Sequence, residues 1–129
     1  MKFALSLILL ALSAQCGAAE TTFTKQYDEC QEQNDGGGPV ERLGCMTAET
    51  KRQGAMLDTA YKAALQAVPA AKQQRLREAQ REWLKFLDAN CDLFYNPESG
   101  SSPGEARAFC VMRMTAERKD ELTELSVAK

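Results

Sequence analysis

Leu57-Asp58-Thr59-Ala60-Tyr61-Lys62-Ala63-Ala64-Leu65-Gln66-Ala67-Val68-Pro69-Ala70-Ala71 is the stretch that decides how this chain folds. Its apolar residues Leu57, Tyr61, Ala64, Leu65 and Val68 recur at the spacing that lines one face of an α-helix. Pro69 then closes that helix, because its ring disfavours a helical conformation at Val68, while a proline is well suited to the first turn of a new helix. Two helices joined by a tight hairpin are predicted.

Upstream, the first helix is expected to begin near residue 43 and run to 68. Its Gln53-Gly54 interruption costs about 1 kcal/mol relative to alanine and is expected to mark a close helix contact or a small bend. Downstream, a second helix over 70–95 carries Leu76, Ala79, Gln80, Trp83, Leu87, Cys91 and Phe94 on one stripe, with Arg75, Arg77, Glu78 and Glu82 elsewhere. Asn96 to Gly104 has the composition of an exposed loop. A third helix over 105–126 has a stripe of Phe109, Cys110, Val111, Met114, Leu122 and Leu125, interrupted by the polar Thr115 and Arg118. Residues 20–42 are polar and include the breaker cluster Asn34-Asp35-Gly36-Gly37-Gly38-Pro39, so they read as an N-terminal arm and a Gly-rich loop. No segment alternates as a strand does. The expected fold is all-α: a small antiparallel bundle of about three helices over 43–129, stapled by two disulfides.

The chain has 129 residues, 44% hydrophobic and 26% charged, enough for one small domain. Sixteen Lys and Arg against eighteen Asp and Glu give no basic face for nucleic acid, and a basic protein partner is the natural inference. The chain contains no histidine, which excludes Ser-His-Asp and Cys-His catalysis and His-ligated metal.

Met1-Lys2, an apolar run from Phe3 to Ala14 and the small residues Gly17-Ala18-Ala19 form a secretory signal peptide over 1–19. The run is too short to span a bilayer, so no stable membrane span is expected after its removal. A lipoprotein signal around Cys16 is disfavoured, because Gln15 and Ser13 stand where a small residue and a leucine are usual. Cleavage removes Cys16 and leaves Cys30, Cys45, Cys91 and Cys110, an even set bound for an oxidising compartment, periplasmic or secreted. Their wide spacing argues against a zinc site, and no metal or cofactor is expected. Folding at Pro69 brings Cys45 and Cys91 to one end, and Cys110 returns there after the loop. Three pairings remain open. The short-range set, Cys30 with Cys45 and Cys91 with Cys110, is preferred because each closes a loop rich in turn residues.

Trp83 and Tyr61 lie on apolar stripes and read as core. Arg118 either pairs with Asp88 or stacks on Trp83; matching levels along the two helices favour Trp83. The carboxylates Asp58, Glu78, Glu82 and Asp88 read as solvated helix faces, not as a glycosidase pair, because a small bundle offers little cleft. The loops 34–39 and 96–104 are the best candidates for contact.

From Cys30 to Leu122 the chain resembles the family of small secreted proteins named for the N-terminal domain of the lysozyme inhibitor LprI. The resemblance rests on Leu57, Asp58 and Tyr61, on Gln80, Trp83, Asp88 and Cys91, and on Cys110, Thr115, Arg118 and Leu122. The chain departs from the family pattern at Asp58, where Asn is usual, at Gly54, where Asp often stands, and at Leu87, where Arg is common. The resemblance implies a helical module outside the cytoplasm that is not an enzyme. Lysozyme inhibition by direct contact is the expected function. The alternative is a periplasmic structural or adaptor protein that binds another envelope partner. For an inhibitor, Ser99, Ser101 and Ser102 would offer hydroxyls to the carboxylates of a lysozyme cleft, while Glu98 and Glu105 would steer a basic enzyme.

Overall fold

The computed structural model describes residues 23–98 and 103–128. The stretch 1–19 expected to be a signal peptide, with Cys16, lies outside the described residues, as do Ser99, Ser101 and Ser102. Four helices follow in order: α1 (Lys25–Gln33), α2 (Pro39–Ala67), α3 (Ala70–Asp92) and α4 (Glu105–Val127). Among the described residues there is no strand.

The hairpin at Pro69 is present. Val68 is extended, with φ −74° and ψ 145°, and α3 begins immediately after the proline. The N-terminal arm needs correction, because it contains α1. Thr24 caps that helix, its hydroxyl accepting from the Tyr27 N–H at 3.4 Å. Tyr27 and Cys30 form its inward face against Cys45, Met46 and Met112, and Phe23, just before the cap, packs against the same cluster. The breaker cluster separates α1 from α2, and Gly36 alone takes a left-handed φ of +81° among the described residues. Pro39 does not end anything: it occupies the first turn of α2, where its missing N–H is not needed, so the helix starts four residues earlier than predicted.

The core is strung along the bundle axis. At the hairpin end, Leu57, Ala60 and Ala64 of α2 meet Leu76 of α3 and Leu122 of α4, with Tyr61, Leu65, Val68 and Trp83 packed around them. At the other end Met46 and Cys45 share a cluster with Met112, while Cys91 packs with Cys110 and Met114. These pairings make α2 and α4 parallel neighbours, with α1 antiparallel to α2 and α3 antiparallel to α4. The closest packing is between α2 and α4, not between the two arms of the hairpin. Side-chain size explains the difference: Ala60, Ala64 and Ala116 are buried small residues that let α2 and α4 approach, whereas α3 presents Leu76, Trp83 and Leu87.

Gly54 marks no close contact. An added Cβ there, or at Gly44, meets nothing within 4 Å. Gly44→Ala and Gly54→Ala are each expected to stabilise the protein by about 0.5–1 kcal/mol, because helix propensity rises with no steric penalty. Thermal unfolding of the two variants checks this.

Candidate functional site

The two disulfides, Cys30–Cys45 and Cys91–Cys110, gather at one end of the bundle on either side of the N-terminal half of α4. Two arginines brace the same end. Arg42, in the first turns of α2, donates through Nε and Nη2 to both carboxylate oxygens of Glu105, at 2.6 and 3.2 Å, and through Nη1 to the Gly37 carbonyl at 2.8 Å. One guanidinium thereby ties the Gly-rich loop and α2 to the start of α4. Arg107 spans Asp88 at 2.9 Å and Asp92 at 3.3 Å. Those two carboxylates sit in the last turns of α3, where the helix carbonyls already concentrate negative charge, so a cation from α4 relieves a local repulsion.

Between the braces, the chain leaving α3 continues in turn geometry. Leu93, Phe94 and Tyr95 donate their N–H groups to the carbonyls of Asn90, Cys91 and Asp92, at 3.3, 3.1 and 3.1 Å. The neck of the following loop is closed by the Asn96 N–H on the Pro103 carbonyl at 3.3 Å. Phe94, read from the sequence as the last member of the α3 stripe, is instead half exposed, because α3 ends at Asp92.

A second polar centre fixes α1. The Glu49 side chain is fully buried on α2, and all its contacts are donors. Its Oε1 accepts from the Thr24 N–H at 2.8 Å and from Gln53 Nε2 at 2.7 Å; its Oε2 accepts from the Thr24 hydroxyl and from Arg52 Nε at 2.9 Å. Burial alone would raise the carboxyl pKa, but the hydrogen bonds from Thr24, Gln53 and Arg52 outweigh it and hold Glu49 below its ordinary value. Burial, with Glu49, Asp28 and Glu105 nearby, pushes the Tyr27 phenol upward.

The residues that carry the family resemblance fall mostly on the seam between α3 and α4. Arg118 lies with Cζ 5.9 Å from the Trp83 ring centroid, its Nε donating to Gln80 Oε1 at 3.0 Å and Nη1 to Glu121 Oε2 at 2.8 Å. Its polar intrusion into the stripe is thus met from α3 and from its own helix. Thr115 is buried with its hydroxyl bonded to the Val111 carbonyl at 2.7 Å. Leu57 and Leu122 are core, Tyr61 and Trp83 are partly buried against it, and Asp58 faces solvent. Asp88 pairs with Arg107, not Arg118. Of the residues proposed to meet a partner, Glu98 is exposed and Glu105 is engaged by Arg42.

The sequence reading missed Arg42 and Arg107, whose partners lie on other elements, and Glu49, which joins Arg52 and Gln53 of its own helix to Thr24 at the start of α1. An open groove of about 490 Å³ also runs between α2 and α4, lined by residues including Met56, Ala60, Ala63 and Thr123, with Lys119 as its one charged group. Among the described residues, no cluster of three or more Cys, Asp or Glu is arranged to hold a metal ion. No described helix is long and apolar enough to cross a membrane.

The family model described as lysozyme inhibitor LprI matches residues 30–122, a span that contains all four bonded cysteines, both arginine braces and the Trp83–Arg118 pair. Searches of curated proteins and of solved structures return no match.

Proposed function

The chain belongs to the lysozyme inhibitor LprI family, and from that premise we propose that it is an exported module that inhibits a lysozyme by direct, non-catalytic protein contact. The family match across 30–122 carries this reading. The excess of Asp and Glu over Lys and Arg supports it, because most of the association rate of an acidic inhibitor with a basic enzyme comes from complementary charge. Two disulfides support a site of action outside the reducing cytoplasm, and the signal peptide of 1–19 belongs to the same proposal. The contact belongs to the disulfide end, where the chain leaves α3 for the 96–104 loop and Glu98 is exposed.

Inhibition requires a rigid partner that fills the enzyme's cleft without being turned over. The braces at this end meet that need, because a surface fixed before binding loses little conformational freedom when it docks. Purified protein comprising residues 20–129, titrated into a cell-wall lysis assay with a basic lysozyme, is expected to slow lysis, and added salt is expected to weaken the effect. An unchanged lysis rate at a molar excess of the protein overturns the reading.

A further inference from the structure

Leu93, Phe94 and Tyr95 are three successive large apolar side chains that stand 82%, 50% and 49% exposed just beyond α3. Single apolar residues on a surface need no explanation, but three large ones in succession, fanned out around one turn, make an apolar tip that fits a contact site. The chain here is not free to fold them away. The Cys91–Cys110 bond fixes it two residues earlier, three consecutive turn hydrogen bonds set its path, and the Asn96–Pro103 bond closes it one residue later. Aromatic side chains held out by a rigid backbone are the kind of group that dominates interface energies.

The chain on either side of this ridge carries three exposed carboxylates, Asp88, Asp92 and Glu98; Arg107 bridges the first two, so the group keeps a net negative charge. An apolar centre with a charged rim has the anatomy of a protein interface. Its sign selects a cationic protein over an anionic lipid surface, which attracts basic segments and repels these carboxylates.

We infer that the Leu93-Phe94-Tyr95 ridge is the anchor that docks on a cationic lysozyme, its apolar side chains entering the substrate cleft while the exposed Glu98 meets basic residues at the cleft's edge. This rests on the inhibitor reading above and adds the residues that make the contact. A lysozyme cleft keeps its catalytic acid in an apolar pocket, so apolar side chains gain there what the loop serines do not.

The test is calorimetric titration of a basic lysozyme with the wild type, with F94A/Y95A, and with a protein whose residues 99–102 are replaced by a Gly-Ser linker. The expected result is a loss of at least about tenfold in affinity for F94A/Y95A, with an unchanged unfolding midpoint and little loss for the linker variant. L93S, at the most exposed of the three positions, supplies the same comparison if the double variant alters folding. Wild-type affinity in F94A/Y95A and L93S overturns the ridge and leaves the inhibitor reading standing. Failure of the wild type to bind overturns that reading and the ridge with it. Sedimentation with phosphatidylglycerol vesicles is expected to show no association; wild-type binding that F94A/Y95A abolishes assigns the ridge to lipid and overturns the proposal.

Discussion

Replacing Cys91 and Cys110 together by alanine is expected to lower stability by on the order of 3 kcal/mol, the constraint expected of a bond closing a loop of this size. For a domain of this length the unfolding midpoint falls by about 10–20 °C. The interface between α3 and α4 is thin compared with that between α2 and α4, so few other contacts hold α3 in place. The sulfurs also pack against Met114 Sδ, at 3.6 Å from Cys91 and 3.8 Å from Cys110, and alanine leaves space there. Removing Cys30 and Cys45 is expected to act differently. A nine-residue helix does not persist alone, so α1, left with only the Thr24–Glu49 bonds and the Tyr27 packing, opens more readily while α2, α3 and α4 stay together. Hydrogen exchange distinguishes the two: the first variant loses protection across α3, the second only across α1.

Glu49→Gln is the second large effect. Both oxygens of Glu49 accept, two hydrogen bonds each, so an amide in its place turns its own NH2 group onto donors whichever way it is oriented. The expected loss is about 3 kcal/mol at neutral pH, the scale of a broken buried charge-assisted network. The pH dependence gives the effect its signature. A carboxyl whose pKa is lower in the folded protein than in the unfolded chain contributes stability that is full above the unfolded value and fades as pH falls through the folded one. The gap between wild type and variant is therefore greatest above about pH 5 and narrows in acid. Denaturant titrations across that range measure it; a gap of constant size contradicts this account of Glu49.

What could be read from the sequence follows from where each signal resides. The hairpin was legible because Val68-Pro69 acts on the backbone locally, and α2, α3 and α4 were legible because long helices repeat their apolar spacing several times. The helix α1 was not, although Phe23, Tyr27 and Cys30 keep helical spacing, because a short polar segment takes its stability from partners far along the chain. Thr24 reaches Glu49 across 25 residues, and Arg42 reaches Glu105 across 63. Phe94 shows a different limit. Periodicity says where a side chain would point if the helix continued, not whether it does continue. At the candidate site, Trp83 and Arg118 were placed together from matching levels on two helices, whereas Arg107 between Asp88 and Asp92 required the loop to have a definite path.

The parallel course of α2 and α4 separates the two poles of the molecule. Val127, at the last turn of α4, is widely exposed and lies most of a helix away from Cys110, about 25 Å at 1.5 Å per residue. A fluorophore or immobilisation tether placed at that position would leave the disulfide pole in free solution, whereas one at Phe23, whose ring packs beside Phe109, would disturb the packing of α1 on the start of α4.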